Sequence, residues 1–533
     1  MIYRELFSEM PYGAVLCDEY LTTRCANCFA DGATIPCSDN GCGKAFYCSQ
    51  ECHDVDQPNH TNECFAFKKA GDRDIDSFVR LLGRIITRQR FDGGVAQLSK
   101  NFPENILDRC LADLVSHQAE IEADDYRAAE MEEALKDFRN TFSGTPLVDD
   151  WELVKRMYCV MWINCFAVSG AINISYGQEP SPGFGFYLNA SRYNHSCRPD
   201  LQVHFDGARL VAQYPSSLFD EESVAKERET LTRSAEKFNQ LTICYGYSGC
   251  STNESYFPLR DQRRESLAFG YYFHCLCVLC SDDRKAALEK HAAPFDCGQC
   301  GEPFVWTESK RHPLAVCWSS PSRSKINCQK SCSCKLGQME AKTIKAFVKK
   351  THPNKELQLL EKEWLDLISR PFQDGHAKKI IKLCEPVGRK ASRFWSCDAN
   401  LRMTHLNERL FIAYDAIVTS QWKTKKEVDQ RTLQKALQTG EASIRWYQRD
   451  GDPTCDTVVG STAYELAQLY KIAAATASTI DERVDAWNRC SAWNLSAASV
   501  WQMYGKYAQK LTQELIAAAQ EAKQSADCLK GAM

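Results

Sequence analysis

Cysteine spacing constrains the fold of this chain more than any other feature. Within residues 25–64, seven cysteines and one histidine form four close pairs. The pairs are Cys25 with Cys28, Cys37 with Cys42, Cys48 with Cys52, and His60 with Cys64. Zinc in closed structural sites prefers four Cys or His ligands, so these eight residues suffice for two tetrahedral sites. A segment this short cannot bury enough apolar surface to fold alone. The spacing therefore predicts a zinc finger over residues 25–64.

The order of these ligands resembles that of the MYND finger, and the run from Phe46 to Cys52 resembles the centre of that finger. Because the two sites of the family interleave, the resemblance implies a specific pairing. It assigns one zinc to Cys25, Cys28, Cys48 and Cys52, and a second to Cys37, Cys42, His60 and Cys64. Pro-rich peptides are the partners that the resemblance implies. The finger has six acidic residues against Lys44 alone, so direct DNA binding is disfavoured.

Three further motifs follow the finger. The first is Asn194-His195-Ser196-Cys197-x-Pro199, preceded by Tyr187 and Ser191. The second is Leu241-Thr242-Ile243-Cys244-Tyr245, and the third is Tyr271-x-Phe273-x-Cys275-x-Cys277-x2-Cys280. The first two resemble the signatures of SET methyltransferases, and the third resembles the post-SET segment of the SMYD subfamily. The chain thus resembles the SMYD-type SET and MYND domain protein lysine methyltransferases.

The resemblance implies an α+β fold, in which a SET β-fold core is interrupted by the finger. A Cys-rich post-SET segment and an all-α, tetratricopeptide-like C-terminal domain follow. The helical spacing of Leu406, Leu410 and Ala413 supports the all-α part. We expect these divisions: 1–24 as the N-terminal part of the split SET domain, 25–64 as the finger, 65–160 as a helical insert, 161–270 as the SET core, 271–340 as the post-SET region, and 341–533 as the helical domain.

The implied activity is the transfer of a methyl group from S-adenosylmethionine to lysines of histones or other proteins. The lysine amine must be neutral, desolvated and aligned with the methyl donor, so positioning supplies much of the rate. An aromatic channel suits this task because ring faces attract ammonium groups. The candidates for its walls are Phe166, Tyr245 and Tyr271, with the Tyr245 hydroxyl directed at the reacting centre. The resemblance assigns cofactor contacts to Asn164, Ser191, Asn194, His195, Tyr245 and Phe273.

A third zinc site is implied near the C-terminal end of the SET core. Cys275, Cys277 and Cys280 leave a tetrahedral site one ligand short, and the family completes it with Cys197. Six more cysteines have looser spacing: Cys297, Cys300, Cys317, Cys328, Cys332 and Cys334. Their pattern leaves a fourth zinc and a plain Cys-rich loop equally open.

One element of the family pattern does not occur before the finger. The family has a strand pair with a Gly-x-Gly turn that approaches the cofactor, and residues 1–24 contain no such turn. From the sequence we therefore expect the first strands of the SET domain to be missing. A second hypothesis follows: a catalytically weak or inactive SET-MYND zinc scaffold that mediates protein interactions in transcriptional regulation. The charged insertion at 216–237 is predicted to be a solvated loop or helix.

Composition narrows the expected location. The chain has 28 cysteines in 533 residues and no visible secretory signal, so thiolate metal sites in a reducing compartment are favoured over disulfides. We expect the nucleus and cytoplasm. The formal net charge of −4 gives no long-range attraction for nucleic acid. The most apolar stretch, at 157–172, is interrupted by Asn164 and is too short for a membrane span. We expect a monomer without membrane contact.

Overall fold

The fold is taken from a computed structural model that describes most of the chain. The described residues are 2–38, 41–94, 108–168, 181–197, 199–216, 221–245, 260–281, 295–296, 303–307, 314–317, 377–391, 401–450, 456–502 and 508–531. Of the loosely spaced cysteines between 297 and 334, only Cys317 lies within them. The run Gly451-Asp452-Pro453 predicts a break in the helical domain, and it falls outside the described residues as well.

Short strands alternate with helices in the N-terminal half. The strands are β1 (Ile2–Glu9), β2 (Gly13–Leu16), β3 (Ile35–Pro36), β4 (Phe46–Tyr47), β5 (Cys165–Val168), β6 (Gly183–Phe186), β7 (Asn194–His195), β8 (Gln202–Asp206), β9 (Arg209–Ser216) and β10 (Thr242–Ile243). The helices are α1 (Gln50–Ala70), α2 (Ser77–Asp92), α3 (Gln118–Ala123), α4 (Asp125–Phe142), α5 (Trp151–Asn164), α6 (Glu221–Thr232), α7 (Ala235–Gln240), α8 (Arg260–Tyr271) and α9 (Val278–Ser281).

Two small antiparallel sheets form the core of the described N-terminal half. One has the order β1-β9-β8 and the other β2-β6-β5. The parallel pair of β7 with β10 joins two of the sequence motifs, since Asn194 lies opposite Thr242 and His195 opposite Ile243. Strand β6 needs a glycine at its start, because a Cβ on Gly183 would lie 2.0 Å from the carbonyl oxygen of Val15. The sheets thus bring residues from both sides of the finger into one core.

Helix α2 packs against β2 and β6 of the second sheet, and α5 packs against α2. Leu81 and Ile85 of α2, and Val160 and Met161 of α5, are almost completely buried in the same core. The Asp76 carboxylate caps the start of α2 by accepting hydrogen bonds from the Phe78 and Val79 amides. Burial of this apolar stripe holds the helical insert against the strands.

The boundaries differ from the sequence expectations in two places. Helix α1 continues through Cys64, so the finger and the helical insert share one element. The pattern of apolar and charged residues over Glu120–Arg139 predicts one amphipathic helix, but that helix is interrupted at Asp124, whose carboxylate caps the start of α4. The charged insertion at 216–237 contains helix α6 and the beginning of α7, with the residues at 217–220 outside the described part.

The C-terminal region is helical, as predicted. A small sheet precedes it, formed by β11 (Phe295–Asp296), β12 (Pro303–Thr307) and β13 (Leu314–Cys317). The helices are α10 (Ala377–Ala391), α11 (Leu401–Lys425), α12 (Gln430–Asp450), α13 (Asp456–Thr476), α14 (Ile480–Gln502) and α15 (Gln509–Gly531). Successive helices pack on one another around a second core. The expected α+β class, with its finger and helical C-terminal region, is confirmed.

Among the described residues, none of the helices combines the length and apolar character that a membrane span requires.

Candidate functional site

The first ligand group of the finger brings together residues far apart in sequence. Cys25 and Cys28 precede the β3–β4 hairpin, while Cys48 and Cys52 follow it, with Cys52 in the first turn of α1. The Sγ atoms of Cys28 and Cys48 are 3.5 Å apart, and those of Cys48 and Cys52 are 3.7 Å apart. A tetrahedral zinc with bonds of about 2.3 Å holds its sulfurs about 3.8 Å apart. These four thiols therefore suit zinc.

The second ligand group uses one face of helix α1. His60 and Cys64 are four residues apart, and Cys37 and Cys42 approach them from the loop around β3. The Cys37 and Cys42 sulfurs are 3.7 Å apart, and Cys42 Sγ lies 3.5 Å from His60 Nε2. The ligand atoms of each group all lie within 4.8 Å of one another. The structure thus shows the interleaved arrangement that the MYND resemblance implies.

A buried network of charges fixes the orientation of His60. Its Nδ1 lies 2.8 Å from Glu63 Oε2, which leaves Nε2 directed at the thiols. The same carboxylate accepts a hydrogen bond from Arg84 Nε at 2.8 Å, and Arg84 also donates to Asp56 at 2.8 Å. Tyr47 donates to Asp56 at 2.9 Å. Metal-binding histidines are commonly oriented by such a carboxylate.

This network was not among the sequence predictions. Arg80 also belongs to the network, with its Nη1 3.6 Å from Glu63 Oε1. A sequence pattern for the network exists, since Asp56 and Glu63 are seven residues apart on α1, and Arg80 and Arg84 are four apart on α2. Each pair therefore lies on one side of its helix. The pairing between the two helices is a tertiary contact that the spacing does not specify.

The third ligand group links the Asn-His motif to the post-SET segment. Cys197 follows β7, while Cys275, Cys277 and Cys280 follow helix α8. The Cys197 sulfur is 3.8 Å from that of Cys275 and 3.5 Å from that of Cys280. All four cysteines of this group are reduced thiols. Four thiols in this arrangement suit a closed zinc site.

Two arginines of α8 support the third group. Arg264 donates to the carbonyl oxygens of Cys275 and Cys280 at 3.1 and 3.0 Å. Arg263 is buried, with its guanidinium 3.8 Å from the Cys280 sulfur. A cation beside several thiolates offsets part of their negative charge, which favours the deprotonated form that binds metal.

His195 lies between the third group and Tyr245. Its Nε2 is 3.3 Å from Cys197 Sγ, and its Nδ1 accepts a hydrogen bond from the Tyr245 amide at 3.1 Å. Burial lowers the pKa of His195 to about 4, so the imidazole is neutral at physiological pH. Since Nδ1 is the acceptor, the proton resides on Nε2 and is directed at the sulfur.

Three of the predicted aromatic residues form one group around Tyr245. The ring centroid of Tyr245 is 4.9 Å from that of Tyr271 and 6.2 Å from that of Phe273. The Tyr245 hydroxyl donates to the Tyr193 carbonyl at 2.8 Å, and the Tyr271 hydroxyl donates to the Tyr245 carbonyl at 3.2 Å. Burial raises the pKa of Tyr245 to about 12, so its hydroxyl stays protonated.

Tyr272 determines how Tyr271 and Phe273 reach the same ring. Its φ of +59° is left-handed, and its amide donates to the Ala268 carbonyl as helix α8 ends. This reversal of the chain lets residues on either side of Tyr272 pack against Tyr245. The His117 ring, also on a left-handed residue, contacts Tyr272 with centroids 5.6 Å apart.

The other predicted site residues occupy neighbouring elements. Phe166 lies on β5 and packs edge-on against Tyr187 at 5.5 Å. Asn164 ends helix α5, and its side-chain amide donates to the Val160 carbonyl. Ser191 donates from its hydroxyl to the Tyr187 carbonyl at 2.6 Å, while Asn194 is exposed on β7. Their roles in cofactor or substrate binding remain predictions.

Glu9 anchors the turn that carries Ser191, and no sequence motif predicts this role. The carboxylate is buried at the end of β1 and accepts hydrogen bonds from the Asn189 and Ala190 amides at 2.8 and 2.9 Å. From the other side, Arg109 donates to the Ser191 carbonyl at 2.8 Å. The turn at 187–192 is therefore fixed by groups from distant parts of the chain.

Comparison with known proteins agrees with this geometry. The family model described as MYND finger matches residues 25–64. The chain is 26% identical over 295 residues to histone-lysine N-methyltransferase SMYD3 of Mus musculus, covering 53% of this chain and 57% of that protein. It is 25% identical over 290 residues to histone-lysine N-methyltransferase Smyd1 of Mus musculus, covering 53% and 52% respectively.

A third relative is SET domain-containing protein 14 of Caenorhabditis elegans, which is 27% identical over 325 residues. That match covers 57% of this chain and 63% of the relative, so the chain spans between half and two thirds of these proteins. The finger, the Asn-His motif and the third cysteine group define a SET-type protein with an inserted zinc finger. Within that class, the chain is similar to the SMYD-type SET and MYND domain proteins.

Proposed function

We propose that this chain is an S-adenosylmethionine-dependent protein lysine N-methyltransferase that acts on histone or other protein lysines. The observation that carries the proposal is the aromatic group of Tyr245, Tyr271 and Phe273, held to the third cysteine group through His195. Relatives named as histone-lysine N-methyltransferases support the same class of reaction.

The residues around this group suit the methyl donor. Phe273 is half-buried and Asn194 is exposed, so an aromatic face and a polar group are both accessible beside the buried core. In the proposal, Phe273 stacks on the adenine, while Asn164, Ser191, Asn194 and His195 bind the polar parts of the donor. S-adenosylmethionine supplies an electrophilic methyl group on a positively charged sulfur.

In the proposed mechanism, Tyr245, Tyr271 and Phe166 surround the lysine side chain. The nitrogen lone pair of the neutral amine forms the new N–C bond while the S–C bond breaks, and a nitrogen proton leaves. Because its pKa is raised to about 12, Tyr245 acts as a neutral polar group and not as the base. Its hydroxyl is fixed by the Tyr193 carbonyl, which pre-orients it and lowers the reorganisation needed during transfer.

The test is calorimetry with S-adenosylmethionine, combined with transfer of a labelled methyl group to core histones and to a panel of lysine peptides. We expect saturable binding of the donor and label on lysine. Tyr245→Phe should retain donor binding and lose transfer. A well-folded wild-type chain that neither binds the donor nor labels any protein would contradict the enzyme and favour the scaffold.

We also propose a protein partner for the finger, since the MYND domain is a protein-interaction module. Residues 25–64 of the finger contain six acidic side chains and one basic side chain, and this negative charge disfavours binding to nucleic acid. Metal-bound thiolates add further negative charge. A Pro-rich peptide array probed with the full chain tests this, and binding to DNA fragments alone would contradict it. Location in nucleus and cytoplasm is a further proposal, to be tested with a fluorescent fusion.

A further inference from the structure

The tip of the β8–β9 hairpin touches the finger at one of its metal ligands. The Ala208 amide donates to the carbonyl oxygen of Cys28 at 2.9 Å. Gly207 has a φ of +59°, and a Cβ at this position would lie 2.2 Å from the same oxygen. A side chain is therefore excluded both by the backbone conformation and by the close contact. The hairpin and the first ligand group meet backbone to backbone.

The other side of the same hairpin contacts Tyr187. The Tyr187 hydroxyl donates to the Ala208 carbonyl at 2.6 Å, and the side chain is completely buried. Its ring packs edge-on against Phe166, the predicted wall of the lysine channel. Its carbonyl oxygen accepts hydrogen bonds from both the amide and the hydroxyl of Ser191. One tyrosine thus contacts the hairpin, the predicted channel and the predicted cofactor turn.

We propose that Gly207 and Tyr187 are positioning residues, through which the metal site of Cys25, Cys28, Cys48 and Cys52 sets the geometry of the methyl-transfer cleft. The proposal rests on the proposed function for its kinetic consequence. Each step is a direct contact: Cys28 to Ala208, Ala208 to Tyr187, and Tyr187 to Phe166 and Ser191. A shift of the Cys28 backbone on metal loss would therefore reach both walls of the cleft.

At this hairpin tip the core contacts the finger, although the finger contains no predicted catalytic residue. The hairpin turn has neither a side chain at Gly207 nor a loop that could absorb displacement, because residues 202–206 and 209–216 are paired as strands. A paired hairpin transmits a displacement of its tip to the sheet instead of bending locally. Positional errors of this kind are costly in reactions that depend on alignment.

The test compares Gly207→Ala with Gly32→Ala. Gly32 lies in the finger and, like Gly207, is left-handed, with a φ of +76°, but its Cβ would meet nothing within 4 Å. The two changes share the backbone strain and differ in the clash with Cys28. For Gly207→Ala we expect a fall in kcat of about 10- to 100-fold with a smaller change in KM, because the cleft is misaligned. Gly32→Ala should keep wild-type kinetics.

Tyr187→Phe is the second variant, because it keeps the ring and removes only the hydrogen bond to Ala208. We expect kcat to fall about two- to tenfold, which is the usual range for one buried hydrogen bond. The double variant should be no slower than Gly207→Ala alone, since both changes interrupt the same path. Full additivity of the two effects would overturn the path.

Two readouts are independent of activity. Hydrogen exchange at 187–195 should be faster in Gly207→Ala than in Gly32→Ala, and zinc release to a colorimetric chelator should also be faster. If exchange changes while the wild type neither binds S-adenosylmethionine nor transfers methyl groups, the proposed function fails and the coupling stands. If the wild type is active and the two glycine variants agree in exchange and kcat, the coupling is wrong.

Discussion

His195 joins Cys197 to Tyr245 through its two ring nitrogens, one 3.3 Å from the sulfur and the other accepting the tyrosine amide at 3.1 Å. A ligand of the third cysteine group and the predicted catalytic tyrosine are therefore separated by a single side chain. The metal site at the post-SET segment and the aromatic group act as one structural unit, and loss of either should disturb the other.

Cys197→Ser tests this relationship. A serine hydroxyl is a poor zinc ligand at neutral pH, so we expect the variant to hold one zinc fewer than the wild type by elemental analysis. His195 then contacts a side chain that no metal holds in place, and S-adenosylmethionine affinity should fall about tenfold or more. Cys17→Ser is the control, because Cys17 belongs to none of the three ligand groups. Unchanged zinc content in Cys197→Ser would show that this residue is not a ligand.

Tyr245→Phe separates chemistry from folding. The change removes a hydroxyl that donates to the Tyr193 carbonyl at 2.8 Å, which should cost about 1 kcal/mol of stability. Transfer should fall by at least about 100-fold, because the group that orients the amine is lost. Single-turnover methylation and urea denaturation measure the two effects.

The control for this variant is Tyr214→Phe. Tyr214 is also buried, and its hydroxyl has no hydrogen-bond partner within the described part of the chain. Its loss should leave both transfer and stability near wild type. A Tyr245→Phe variant that retains more than half of the wild-type rate would exclude this hydroxyl from the mechanism.

The sequence was sufficient to predict how the candidate zinc ligands are grouped, but not which contacts support those groups. Zinc requires cysteines and histidines at short fixed spacings, so twelve ligands could be grouped in advance, and the structure brings each group together. The aromatic residues near Tyr245 also belong to short sequence motifs, so they too could be predicted. The break at Asp124 had a local sign, an aspartate that caps the following amides, which the apolar periodicity obscured.

The supporting contacts have no local pattern. Glu9 accepts a hydrogen bond from the Asn189 amide, which is 180 residues away in sequence. The Ala208 amide donates to the Cys28 carbonyl, although the whole helical insert lies between them in sequence. Such pairs depend on how the sheets are stacked, and a carboxylate or glycine in isolation resembles many others. The sequence therefore predicts the chemistry of the site better than its mechanical support.

Arg84→Met tests the buried network beneath the finger. The arginine donates to Asp56 and Glu63, and all three side chains are almost completely buried. Without the arginine, the negative charges of the two buried carboxylates are only partly compensated. The free energy of unfolding, measured by urea denaturation, should therefore fall by about 3–5 kcal/mol. Glu63 should also orient His60 less well, so zinc release from the finger should be faster.

Arg90→Met on the same helix is the matched control, since Arg90 is exposed. It should leave the free energy of unfolding within about 0.5 kcal/mol of wild type. Similar stabilities and zinc release rates for the two arginine variants would mean that the network contributes nothing to the finger.

Glu9 predicts a pH dependence of stability. Burial raises its pKa from 4.5 to about 7, against the lowering effect of the Asn189 and Ala190 amides and of Arg192. Between these pH values the unfolded chain has lost the proton while the folded chain retains it, so the folded state binds more protons and stability falls as pH rises. Below 4.5 both states are protonated and this cost vanishes. Above 7 the cost reaches its full value of about 3 kcal/mol.

Glu9→Gln isolates this contribution. Glutamine does not titrate, so the difference in unfolding free energy between wild type and variant should change by about 3 kcal/mol from pH 4.5 to 7.5. The variant loses one of the two amide contacts, because its NH₂ group cannot accept a hydrogen bond. Its stability should fall furthest below that of the wild type at low pH, where Glu9 of the wild type is protonated and carries no ionisation cost. The other titrating groups are common to both proteins and cancel in the difference, except where Asp108 and Arg192 interact with Glu9 directly. Parallel stability curves over this range would mean that Glu9 ionises normally in the folded chain.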